Sequence, residues 1–271
     1  MCAPSVIEDV RRELSRRRFI GAVTAGAAGA AVPAAAQSTR MPKGFRSVID
    51  LTHPLSPGLP VYPAYKPLQV RQHFSVARDG FAANEVTFDE HTGTHVDAPS
   101  HFVAGGATGD RIPPTQLIAP LAVVSLVDRA AENPDALVTV DDLRAWEKRH
   151  GRLPAGALVA MNSGWDARAN TTQRFLNQDA KGVMHTPGFS EEASRFLVEQ
   201  RDIGGVGVDT LSLDPGAAQK FVAHLAILGA GKYGVELLAN LSRVPPSGAT
   251  VFVGAMKHEG TGGPARVLAL V

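Results

Sequence analysis

Three histidines and an aspartate fall within eleven residues, in His91-Thr-Gly-Thr-His95-Val-Asp97-Ala-Pro-Ser-His101-Phe102. Neutral imidazole and carboxylate are the usual ligands of zinc and other divalent first-row metals. A helix would bring His91 and His95 together at i, i+4. However, Gly93, the β-branched Thr92, Thr94 and Val96, and Pro99 all oppose a helix. On a helix, Asp97 would also point away from both histidines. A regular strand puts positions 91, 95 and 97 on one face but separates His91 from His95 by about 13 Å. An irregular strand end, bent where Gly93 permits unusual dihedrals, brings His91, His95 and Asp97 around one ion. Pro99 then ends regular pairing and turns His101 back over the site.

Two further groups share this chemistry at a distance in sequence. His224 lies in the apolar run Phe221-Val-Ala-His224-Leu-Ala-Ile-Leu, and Glu236 in Tyr233-Gly-Val-Glu236-Leu-Leu-Ala-Asn240. A carboxylate in apolar surroundings is costly unless it is paired or metal-bound. Spacing alone does not connect either residue to the first cluster.

The N-terminal 36 residues read as an address. Arg16-Arg17-Arg18-Phe19 precedes an Ala/Gly-rich apolar stretch and then Ala34-Ala35-Ala36 before Gln37. A basic region, a modest apolar region and an A-x-A site describe a secretory signal, and the paired arginines make it twin-arginine-like. The expected organisation is a signal at 1–36 and one domain over 37–271. Such a protein would be handled by the twin-arginine export machinery, would reach the periplasm and would keep no stable membrane insertion after cleavage. The only cysteine is Cys2, which excludes an internal disulfide, a CxxC metal site and a cysteine nucleophile. A formal net charge of +1 encodes no attraction to nucleic acid.

The remaining chain alternates apolar, β-branched runs with few helical segments. Strands are expected over 48–51, 82–88, 121–127, 157–161, 204–208, 250–253 and 266–271. Helices are expected at 140–150, after Thr139 as N-cap with Asp141 and Asp142 in the first turn, and at 191–200, after Ser190. A third is expected at 235–241. The fold class is α/β, with more sheet than a doubly wound fold.

The segment HTGTHVDAPSHF resembles the HxGTHxDxPxHF signature of the putative cyclase family, which includes bacterial kynurenine formamidase and isatin hydrolase. Ile49-Asp50-Leu51-Thr52-His53-Pro54 with Leu59-Pro60-Val61-Tyr62-Pro63 resembles the family's opening segment. Gly207-Val208-Asp209-Thr210, the His224…Glu236…Asn240-Leu241 block and Gly260-Thr261-Gly262-Gly263-Pro264-Ala265-Arg266 resemble its later marks, in family order. The resemblance implies the swivelling β/β/α fold as a sheet-rich single domain, assembled as a homo-oligomer, dimer or tetramer. It implies His91, His95, Asp97, His224 and Glu236 as ligands of one or two Mn2+ or Zn2+ ions. It implies His101 as acid/base residue or additional ligand, and Tyr62 and His53 as residues near a small-molecule substrate.

The resemblance further implies hydrolysis of a C–N amide bond: opening of a cyclic amide of the isatin type, or cleavage of an aryl formamide. A divalent ion would activate water, and His101 would pass its proton to the leaving nitrogen. Two other classes fit the same ligands: a lyase, dehydratase or cyclase acting on a small carbonyl compound, and a periplasmic metal- or ligand-binding protein. A serine hydrolase does not fit, because Met161 stands where the first glycine of a GxSxG elbow around Ser163 would be. Phe74, Phe81 and Phe102 are candidates for pocket wall or core. Asp209 and Arg266 are candidates for a structural ion pair or for groups that support the site's ligands from behind.

Overall fold

The computed structural model describes residues 44–271. The signal read at 1–36 lies outside the described residues. Among these, residues 44–70 and 86–271 make one unit; residues 71–85 belong to another.

The strands are β1 (Val48–Asp50), β2 (Gln69–Phe74), β3 (Ala83–Thr87), β4 (His95–Asp97), β5 (Ile118–Ser125) and β6 (Leu137–Val138). They continue with β7 (Leu158–Asn162), β8 (Gly188–Phe189), β9 (Gly205–Val208), β10 (Tyr233–Glu236), β11 (Ala249–Ala255) and β12 (Gly262–Leu270). In the main unit, seven strands form a closed ring in the order β12-β11-β5-β7-β9-β10-β4, because the start of β12 pairs back with β4. The far end of β12 carries β1. Strands β5, β7, β9 and β10 run parallel, while β4, β11 and β12 pair antiparallel with their neighbours. Closure removes the free edges that an open sheet would expose.

Alternate residues of the parallel strands serve two cores. Leu121, Val123, Leu158 and Ala160 pack inside the ring with Val96, Val235, Val251 and Val267. Ala122, Val124, Val159, Met161, Val206 and Val208 face outward and are covered by the helices Val140–His150, Glu191–Gln200 and Val222–Gly229, through Trp146, Phe196, Leu197 and Ile227. Burial on both faces explains why these strands read as unbroken apolar runs.

Two helices occupy the expected spans. The first begins with a reciprocal cap: the Thr139 amide donates to Asp142 Oδ2 at 2.8 Å, and the Asp142 amide to Thr139 Oγ1 at 3.3 Å. The second begins with the Ala193 amide donating to Ser190 Oγ at 3.1 Å. The helix expected at 235–241 is not formed: Tyr233–Glu236 is strand β10, and a single 3-10 turn, Leu241–Arg243, follows. A short apolar run with no polar face has no period of its own, and here pairing with β9 and β4 decides its state. The helix lies instead at Val222–Gly229, in an equally apolar run.

The 71–85 unit is a two-stranded element of β2 and β3 joined through a short helix, Val76–Asp79, capped by Ser75. Phe74 and Phe81 lie here with ring centroids 4.7 Å apart.

Leu158→Ala empties a fully buried position in the ring core and is expected to cost about 2–5 kcal/mol in urea unfolding. Thr139→Ala removes one cap and is expected to cost about 1 kcal/mol. Equal losses for the two would contradict this division of stability.

Candidate metal centre

The His91–Thr94 segment is irregular, and pairing begins at His95. Gly93 makes the bend, with φ +69°. Its carbonyl accepts from His95 Nδ1 at 2.8 Å, which leaves His95 Nε2 facing inward. Past Asp97, Pro99–His101 forms a 3-10 turn. That turn stacks His101 on His91, with ring centroids 3.8 Å apart.

Sheet register joins the two clusters that spacing leaves apart. Across the β4–β10 pair, Glu236 is the partner of His95 and Gly234 the partner of Asp97. Directly paired residues project to the same face. His95 Nε2 lies 3.2 Å from Asp97 Oδ1 and 3.4 Å from Glu236 Oε2. His224, in the first turn of its helix, points Nε2 toward Glu236 Oε1 at 3.2 Å and Asp97 Oδ2 at 3.6 Å. His91 Nδ1 lies 2.7 Å from Asp97 Oδ1. The structure thus brings together His91, His95, Asp97, His101, His224 and Glu236.

Supporting groups hold these side chains in place. Asp214, a residue with no sequence signal, accepts from the amides of Ala223 and His224 and lies 2.6 Å from His224 Nδ1. One carboxylate thereby caps the helix and aims the imidazole. Leu237 follows Glu236 at φ 50°, a costly conformation for leucine. Its amide donates to the Thr210 carbonyl, and its carbonyl accepts from Thr94 Oγ1, so bonds on both sides hold it.

The electrostatics call for a cation. Asp97, Asp214 and Glu236 are buried, and no lysine or arginine is buried among the described residues. Positive charge near them must come from protonated histidines or from a bound cation. Burial depresses the pKa of His95, but the Asp97 charge outweighs it and lifts the imidazole to about 10. Burial raises the pKa of Asp97, but His95, His224 and His91 hold it well below the usual carboxylate range. Burial likewise opposes protonation of His224, and its bond to Asp214 reverses the sign. His95 Nε2 and Asp97 Oδ2 are buried without a hydrogen-bond partner. Two groupings, His91–Asp97–His101 and His95–Asp97–Glu236, each bring three ligand atoms within 4.8 Å of one another. Mixed imidazole and carboxylate donors around orphaned atoms fit a divalent first-row ion.

A cavity of about 180 Å3 opens over this cluster. Its walls are Tyr62, Tyr65, Phe102, Phe221, Leu211 and Ser212; His91, His101, His224 and Glu236 also line it. It is smaller than common drug-sized sites, and its wall is largely aromatic. Tyr62 lines the cavity; Tyr65 and Phe221, also in its wall, and Asp214 behind His224 are residues the sequence did not single out. His53 is not brought to this cavity. Its amide donates to Thr94 Oγ1 at 2.9 Å, and its ring lines a separate cleft with Asp50, Thr52 and Arg266. Phe74 and Phe81 are not among the residues lining the cavity.

Asp209 and Arg266 do not pair. Arg266 forms a two-pronged bond to Asp50. Asp209 is fully buried and accepts from Ser163 N, Ser163 Oγ and Trp165 N. Ser163 is therefore committed to a structural turn.

Fold and site together define a sheet-ring protein with a candidate histidine–carboxylate metal centre under an aromatic pocket. The family model described as putative cyclase matches residues 49–215, and the chain belongs to that family. It is 35% identical over 246 residues to the isatin hydrolase of Roseibium aggregatum, covering 84% of this chain and 93% of the relative. It is 25% identical over 196 residues to the kynurenine formamidase of Polaromonas naphthalenivorans, covering 71% and 75%. The solved isatin hydrolase A from Ralstonia solanacearum superposes with a TM-score of 0.80 at 35% identity, covering 94% of this chain and 98% of that one.

A divalent ion held by this cluster would compete with protons for the same nitrogens. Mn2+ or Zn2+ affinity, measured by calorimetry, is expected to rise about tenfold per pH unit between pH 6 and 8 for each proton displaced. Protons should be released to the buffer at the same time. An affinity flat over that range would contradict the centre.

Proposed function

We propose that this protein is a metal-dependent hydrolase of non-peptide C–N amide bonds that opens a cyclic amide of the isatin type. The observation that carries the reading is the convergence of His91, His95, Asp97, His224, Glu236 and His101 beneath an aromatic-walled cavity. Similarity to isatin hydrolases over most of both chains supports the lactam. Similarity to kynurenine formamidase supports an aryl formamide as the second substrate class.

In this reading His91, His95, Asp97, His224 and Glu236 hold one or two divalent ions, Mn2+ or Zn2+. When bound, the ion supplies Lewis acidity, polarising the amide carbonyl and acidifying water. The aromatic walls hold the substrate ring by stacking and exclude bulk water. His101 acts as the acid/base residue in this reading, taking a proton from the attacking water at a ring nitrogen and handing it to the departing nitrogen. Burial keeps its pKa down at about 4, so the ring is neutral and can accept that proton at physiological pH. Cleavage leaves a carboxylate and an amine, joined through the ring when the substrate is a lactam. Ser163 is not a nucleophile, because its hydroxyl is given to Asp209.

The wider reading follows from the sequence. Residues 1–36 direct export through the twin-arginine machinery, residues 37–271 are the hydrolase domain, and the mature protein works in the periplasm as a homo-oligomer. Mass spectrometry of the periplasmic protein, and its size in solution, test these points.

His101→Ala is expected to bind metal as wild type does and to lose about 10²–10⁴-fold in kcat for isatin ring opening. Proton release by the wild type should stop with chelator and return with Mn2+ or Zn2+. Unchanged turnover in His101→Ala would remove that residue from the mechanism. No ring opening by metal-loaded wild type would remove the lactam.

A further inference from the structure

His95 and His224 each have the ring nitrogen remote from the cluster engaged, by the Gly93 carbonyl and by Asp214. His91 is arranged differently. Its Nδ1 faces Asp97, and its Nε2 lies 3.0 Å from Thr261 Oγ1. The Thr261 hydroxyl donates to Glu90 Oε2 at 2.5 Å, and the Thr261 amide donates to the same oxygen at 2.9 Å. The other oxygen of Glu90 lies 3.1 Å from His258 Nε2.

Proton counting fixes the direction of this chain. A threonine hydroxyl has one hydrogen, and a carboxylate only accepts. With that hydrogen given to Glu90, Thr261 Oγ1 must accept from His91 Nε2–H. In the neutral ring this leaves Nδ1 unprotonated, 2.7 Å from Asp97 Oδ1, where a shared cation rather than a hydrogen would join the two. The neighbouring residue is fitted to the same ring: a Cβ on Gly262 would lie 2.6 Å from His91 Cε1, closer than real Cβ contacts come. The segment that opens β12 is therefore shaped around His91 both sterically and by hydrogen bonding.

We propose that Thr261 and Glu90 are positioning residues for the metal centre: in series they hold His91 as the Nε2–H tautomer, with Nδ1 as its ligating atom. The inference rests on His91 being a metal ligand, as read above. It gives the Gly-Thr-Gly segment a role in ion binding that its distance from the histidine cluster in sequence conceals. Neither residue lines the pocket, so substrate binding does not depend on them directly.

The test measures Mn2+ and Zn2+ affinity by calorimetry and melting temperature in chelator, for wild type, Thr261→Val, Thr261→Ser, Glu90→Ala, the Thr261→Val/Glu90→Ala double variant and His91→Ala. Thr261→Val and Glu90→Ala are each expected to weaken metal binding about 10–100-fold, the usual effect of losing an outer-shell partner. Thr261→Ser should restore affinity to within about twofold. The double variant should lose little more than either single one, because the groups act in one chain. Melting in chelator should be unchanged for Thr261→Val, which separates positioning from folding. Wild-type affinity in Thr261→Val alongside a large loss in His91→Ala would overturn the inference alone. Wild-type affinity in His91→Ala would overturn the metal-centre reading beneath it. Losses that add in the double variant would show two independent contacts and refute the chain.

Discussion

Burying the Asp97 carboxylate is the constraint on which the rest of the site depends. Asp97 is inaccessible to solvent and sits in a strand hydrogen-bonded on both sides, and among the described residues no lysine or arginine is buried with it. An isolated charge in such a place would cost far more than the few kcal/mol by which a domain is stable. Three imidazoles and a second carboxylate gather around it from β4, the irregular segment before it, the Val222–Gly229 helix and β10. Such a grouping is balanced by positive charge, as protons on the histidines or as a metal ion.

Ring closure makes the grouping permanent. Strand β4 is only three residues long, and it is held because β10 and β12 pair with its two edges. The same pairing sets Glu236 opposite His95, and it brings Thr261, just before β12, against His91. The placement of these side chains is thus inherited from backbone register, which a one-residue slip would destroy. Strain is kept locally, at Leu237, where strong bonds on both sides hold an unfavourable φ.

How much of this was legible in the sequence follows from how local each signal is. The His91–Asp97 cluster could be read because its members are adjacent and its glycine and proline exclude the regular alternatives. The helices at 140–150 and 191–200 could be read because Thr139 and Ser190 cap them and acidic residues fill their first turns. The segment after Tyr233 was misread because a strand buried on both faces has no period to distinguish it from a buried helix. His224 and Glu236 were visible as oddities, and only tertiary pairing joined them to the cluster. Asp214, Glu90 and Tyr65 carried no signal at all: each is one ordinary residue whose meaning lies in a contact made across the fold. His53 was marked by its motif, yet the structure gives its backbone a bracing bond to Thr94 and its ring a different cleft.

The account stands or falls on whether the buried carboxylate is there to hold a cation. Metal-linked thermal stabilisation of wild type and Asp97→Asn tests this most directly. Saturating Mn2+ or Zn2+ should raise the melting temperature of the wild type, since about 1,000-fold excess over Kd contributes about 4 kcal/mol. The same metal should leave Asp97→Asn unshifted, and element analysis should find it metal-free. Equal stabilisation and equal metal content in the two proteins would contradict the account.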